Sequence, residues 1–108
     1  MTMTIDPTRI DRDRLDQLRR DVAEKHGIDL YLQYTEQQAA FLLIRPDERS
    51  ARRADCSTLK RKRRAGKIPH VPLGNNSVAY FGMMLCDFLM FGEQSVTLWG
   101  ASDERSQQ

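Results

Sequence analysis

The sequence predicts an α+β domain: helices gathered around one small β-hairpin, with an added N-terminal helix and extra strands. Three observations lead there. A polar start at Asp55 or Ser57, five consecutive cations from Lys60 to Arg64, and a stop at Gly66 and Pro69 outline a short helix over about 55–65. Val71 and Leu73 stand opposite Val78 and Tyr80 across Gly74-Asn75-Asn76, residues that tolerate positive φ, which is the pattern of a hairpin. Phe81, Met84, Leu85, Phe88 and Leu89 then recur at helical spacing up to Gly92.

The remaining elements follow in order. Asp6-Pro7 reads as a cap with proline at the first helical position, opening a helix that Gly27 closes. Ile10, Leu15, Leu18 and Val22 give that helix a thin apolar stripe, expected to pack on the domain rather than pair with a second copy. Ile28 to Tyr34 alternates with the period of a half-buried strand. Thr35 and Gln38 form a loose capping box for a helix through Leu43, with Ala39 and Ala40 permitting close approach and Phe41 and Leu42 expected to be buried. Arg45-Pro46-Asp47 breaks that helix, and an arginine-rich connector leads to the basic helix, whose one strong apolar anchor is Leu59. Met83, Met90 and Phe91 make the last helix apolar nearly all round, so it must be buried on more than one side. Val96 to Trp99 is expected to pair as a strand with residues 28–32. The chain thus divides into an N-terminal helix and strand extension (1–33), a central domain (34–92), and a C-terminal strand with a polar tail (93–108).

At 108 residues the chain suits one domain with a modest core. The net charge of +2 hides an asymmetry. Between Arg45 and Lys67 ten cations face three anions, giving that segment +7 and leaving −5 on the rest. A concentrated positive footprint beside an acidic remainder suits a polyanionic partner. The most apolar run, Met83 to Phe91, contains Asp87 and is too short to span a bilayer, and the N-terminus lacks the apolar core of a signal peptide. No membrane partner and a cytoplasmic setting are therefore expected. Cys56 and Cys86 do not make a disulfide framework and are expected as free thiols.

From Tyr34 the order is capped helix, connector, basic helix, Gly-x-x-Pro exit, hairpin and apolar helix. That is the order of a winged helix-turn-helix, in which the second helix lies in the DNA major groove and the hairpin wing touches the flanking backbone. The residues Tyr34-Thr35-x-x-x-Ala39-Ala40-x-Leu42, Ser57-Thr58-Leu59, Ala65-Gly66-Lys67-Ile68-Pro69, Val71-Pro72-Leu73-Gly74, Val78-x-Tyr80 and Leu85-x-x-Phe88-Leu89 resemble the small excisionase / AlpA / MerR-type winged-helix domains, over about half the chain. Three features depart from that pattern: a longer connector from Leu43 to Asp55, a wing tip of Asn75-Asn76 where arginines are common, and Gly82 in place of a polar cap.

The resemblance implies double-stranded DNA binding without catalysis, as an excisionase-like accessory of a recombinase or a small transcription regulator, with a recombinase or a second copy of the chain as protein partner. It places Ser57, Thr58, Lys60, Arg61 and Arg64 at or near the groove, where arginine can take guanine bidentately. Lys62, Arg63, Lys67 and the connector arginines Arg52 and Arg53 become phosphate contacts, which position without specifying. Asn75 and Asn76 can reach backbone or bases from the wing. The alternative is a protein-interaction module whose basic helix grips an acidic protein surface. His26, His70 and the two cysteines lack metal-ligand spacing, and no phosphate loop, nucleophile–base pair or close carboxylate pair is visible. No metal, no cofactor and no enzymatic activity are expected.

Overall fold

The computed structural model describes residues 7–50, 55–75 and 77–99. They form a small α+β fold of four α-helices and a three-stranded antiparallel sheet. The order is α1 (Arg12–His26), β1 (Gln33–Tyr34), α2 (Glu36–Leu42), α3 (Cys56–Arg64), β2 (Val71–Gly74), β3 (Ser77–Phe81) and α4 (Gly82–Phe91). Short 3₁₀ segments cover Pro7–Arg9, Pro46–Glu48 and Gly92–Trp99.

The local rules of capping decide most boundaries. The Asp11 carboxylate accepts from the backbone N–H groups of Asp13 and Arg14, so α1 begins there and not at Asp6-Pro7 as the proline suggests. Pro7 instead opens the preceding 3₁₀ turn. Gly27 closes α1 in the left-handed region, at φ 69°. Thr35 and Gln38 complete a reciprocal capping box on α2. Asp55 caps α3 by accepting from Ser57 N–H, and Lys67 N–H closes the other end onto Lys62 O at 2.9 Å. That last bond is the outer bond of a glycine-terminated helix end, with Gly66 at φ 71°.

In the sheet, β3 lies between β1 and β2. The hairpin pairs Val71 with Ala79 and Pro72 with Val78, then slips by a bulge so that Gly74 meets Ser77. Gly74 and Asn75 both have positive φ at its tip, while Asn76 lies outside the described residues. The core gathers Ala23 and Ile28 from the α1 end, Ala39, Ala40 and Leu42 from α2, Leu59 from α3, and Ile68, Tyr80, Leu85 and Cys86. Phe41 is not part of it: the ring is 43% exposed and lies under the Arg49 guanidinium, 5.1 Å away. Ala39, Ala40 and Leu42 occupy the inward face of so short a helix, and Phe41 points away from it.

Both expected extra strands are revised. The run 28–34 is a strand only at Gln33–Tyr34, which pairs with Phe81 and Tyr80 of β3. Residues 29–32 instead turn over the start of α4, where Leu32 O accepts from Gly82 N–H and Leu30 O from Met83 N–H. These carbonyls satisfy donors that a helix start leaves without an intrahelical partner, so α4 needs no side-chain cap. The crossing is close enough that a Cβ on Gly82 would fall 1.9 Å from Asp29 O, which explains a glycine where a polar cap was expected.

Val96 to Trp99 is likewise helical, within the 3₁₀ segment, and forms no strand. Its reason is Asp87. This carboxylate is fully buried in α4, accepts two 2.8 Å bonds from Arg19 of α1, and takes a third, at 2.9 Å, from Trp99 Nε1. A buried charge must be paired, and winding the 3₁₀ segment back along α4 delivers the indole donor. The same pair fixes α1 against α4, and Asp87 raises the Arg19 pKa above its ordinary value by hydrogen bonding, against the opposing effect of burial.

Candidate nucleic-acid interface

Helix α3 has one inward face, and its three residues come at helical spacing. Leu59, 3% exposed, enters the core. One turn before it, Cys56 Sγ contacts Gln37 Oε1 of α2 at 3.1 Å. One turn after it, Arg63 binds Glu36 of α2 through Nε to Oε2 at 2.8 Å and Nη2 to Oε1 at 3.3 Å. Tyr80 of β3, fully buried, donates its hydroxyl to the same Glu36 oxygen at 2.6 Å. Glu36 therefore joins α2, α3 and β3. Burial opposes its ionisation, but the hydrogen bonds from Arg63 and Tyr80 outweigh that and hold the carboxyl below its usual range. Burial, then the bond to Glu36, drives the Tyr80 phenol well above its usual value.

The inward face dictates the outward one. Ser57, Lys60, Arg61 and Arg64 follow the i, i+3, i+4, i+7 spacing of a single helix face and line a shallow concavity together. All four are exposed. Thr58, Arg61, Lys62, Ala65 and Lys67 line a second shallow depression along the flank. Lys62 leans inward, with its ammonium 5.9 Å from the Phe88 ring. Lys67 is exposed and 3.8 Å from Glu93, a solvent-screened pair of small worth.

The residues singled out from sequence thus separate into groups. Ser57, Thr58, Lys60, Arg61, Arg64 and Lys67 are brought together at the surface. Arg63 is turned away from that group and bonded to Glu36. Asn75 stands exposed at the hairpin tip at φ 51°. Arg52, Arg53 and Asn76 lie outside the described residues.

Sequence reasoning missed residues that tie the elements to one another. Arg49 is one. Its guanidinium donates to His26 O at 2.7 Å and Leu42 O at 3.1 Å, and its Nε to Ile44 O at 3.1 Å. One cation thereby serves the C-terminal carbonyls of both α1 and α2, where helix dipoles favour positive charge. Glu36 and Tyr80 are the others, and nothing local marks a partnership across 27 and 44 positions. Asp87 did carry a signal, since a lone carboxylate in an apolar helix demands a buried donor.

Among the described residues no group of three or more His, Cys, Asp or Glu side chains could hold a metal ion, and no helix is long and apolar enough to cross a membrane. Both cysteines are free; burial, reinforced by Asp87, pushes the Cys86 thiol pKa up to about 12, so it stays protonated. Compared with family models, with curated proteins and with solved structures, the chain gives no match.

Proposed function

We propose that this protein binds double-stranded DNA through α3, as a winged helix-turn-helix in which α2 and α3 are the helix pair and the β2–β3 hairpin is the wing. The observation that supports this most is the division of α3. Cys56, Leu59 and Arg63 are held by the rest of the fold, while Ser57, Lys60, Arg61 and Arg64 form an exposed face with three cations and one hydroxyl. A face of that composition combines guanidinium forks suited to guanine edges with charges suited to phosphates. Thr58, Lys62 and Lys67 extend it along the flank, and Asn75 extends it at the wing. Consistent with the resemblance in its sequence, the protein serves as a non-catalytic, cytoplasmic accessory factor of the excisionase type, or as a small transcription regulator, acting with a recombinase or a second copy of itself.

The test is a salt titration of binding to mixed-sequence duplex DNA. The log–log slope is expected to correspond to several phosphate contacts, at about −0.9 per contact. Arg61→Ala/Arg64→Ala is expected to weaken binding and flatten that slope. Absence of binding at low salt would discard the DNA reading and leave the alternative, an acidic protein surface gripped by the same helix.

A further inference from the structure

A cleft of about 480 Å³ opens beside α1, and none of its lining residues belongs to α2, α3 or the hairpin. It is therefore separate from the basic face. Leu15, Leu30, Met83 and Leu98 give it an apolar wall. Its guanidinium groups have carboxylates close by: Asp16 stands one turn from both Arg12 and Arg20, and Asp87 holds Arg19. A cleft of this kind suits an apolar body with an uncharged polar tip, which is the chemistry of a tyrosine side chain.

The same face carries such a group. Tyr31 stands on the rim of the cleft and is 77% exposed, and Leu32 beside it is 52% exposed. The Asp29 carboxylate accepts from Tyr31 N–H and fixes the turn that holds them out. Two consecutive large apolar side chains left in water mark a contact surface more strongly than isolated ones do. A knob next to a hole on a single face is what a two-fold pair needs, because each copy then gives its knob to the other's hole.

The charges on α1 meet the same requirement. Arg12, Asp16, Arg20 and Glu24 follow one another at four-residue spacing with alternating sign, and the first three also line the cleft. Two copies of this row, laid antiparallel about a point between Asp16 and Arg20, set every cation opposite a carboxylate. Arg12 then faces Glu24, and Asp16 faces Arg20, each pair occurring twice. A slip of one turn would set like charges opposite one another, so the row specifies its own register. We propose that two copies of this chain associate through this face, antiparallel along α1, with the Tyr31 ring of each in the apolar cleft of the other. This gives the second copy named above a defined surface; it rests on that part of the reading and not on DNA binding.

The test is sedimentation velocity of the full chain without DNA, over a concentration series at low and high salt. A dimer is expected to form at about 100 μM or below and to weaken as salt rises. Tyr31→Ser changes an exposed side chain and is expected to weaken association roughly tenfold or more, with an unchanged thermal midpoint. Arg12→Glu puts two like-charge pairs across the axis and is expected to weaken it about tenfold. Arg12→Glu/Glu24→Arg re-forms both pairs with the signs exchanged and is expected to restore the parent association, a rescue that a role of Arg12 within one copy does not predict. Arg61→Ala/Arg64→Ala is expected to remain dimeric, so a failure of DNA binding is read separately. The inference is overturned if the parent is monomeric throughout, which would leave the cleft to an occupant other than a second copy. It is equally overturned if either single variant associates like the parent, if the double reversal does not restore association, or if the Arg61/Arg64 variant loses it.

Discussion

Helices α3 and α4 are nearly equal in length and opposite in how they are held. Helix α4 buries Gly82, Met84, Leu85, Cys86 and Asp87, and it is covered by α1, by the turn at 29–32 and by the 3₁₀ segment after Gly92. Helix α3 buries Leu59 alone. The core retains the first by apolar area, and it can retain a charged residue there because Arg19 and Trp99 satisfy it. Among the described residues the second is fastened through Cys56, Leu59 and Arg63, with Lys62 leaning on Phe88, and this leaves most of its surface for something else. A helix held by few contacts is poorly stabilised by itself but well suited to presenting side chains.

That contrast can be broken from the α4 side first. Asp87→Ala leaves the Arg19 guanidinium, whose side chain is 13% exposed, without its buried partner. It is expected to cost about 3–5 kcal/mol, seen as a fall in the denaturation midpoint together with a shift in Trp99 emission. A cost below about 1 kcal/mol would show that Arg19 swings freely to solvent and that α1 is not fastened by this pair. Leu59→Ala removes the apolar anchor of α3 and is expected to cost about 2–4 kcal/mol, with DNA binding weakened in proportion to the folded fraction.

Glu36→Gln tests the polar fastening. It is expected to cost about 1–2 kcal/mol at neutral pH, and the sign of its pH dependence is fixed. The folded Glu36 pKa lies below its ordinary value of 4.5, so its contribution is complete above that value and is lost as the pH falls through the lower folded one. Acid titrations of the parent and the variant should therefore converge at low pH; parallel curves would remove Glu36 from the acid limb. The smallest expected effect on stability is that of Arg61→Ala/Arg64→Ala, within about 0.5 kcal/mol, because neither side chain supports the fold. Stability unchanged while the salt slope flattens would separate presentation from support. A large destabilisation would place these arginines in the fold's own framework.

Local chemistry made much of this legible. The Thr35/Gln38 box, Asp55 at the start of α3, the glycine stops at Gly27 and Gly66, and the positive-φ turn at Gly74-Asn75 are each settled by a few neighbouring residues. The strand expected at 28–34 was misread because alternation reports which residues could share a face. It does not report whether a partner strand lies beside them, and here the backbone of 29–32 serves α4 instead. Val96 to Trp99 was misread for a related reason: its β-prone residues are overruled by the need of Asp87 for a donor.

On the candidate surface, the sequence by itself determined that a helix over about 55–65 would be cationic, would end at Gly66, and would have one apolar anchor. Which cations remain free was decided only by the tertiary structure. Arg61 and Arg63 are the same residue type two positions apart, but on a helix two positions turn the side chain to the opposite side. There Glu36 and Tyr80, distant in sequence, meet one and leave the other to solvent.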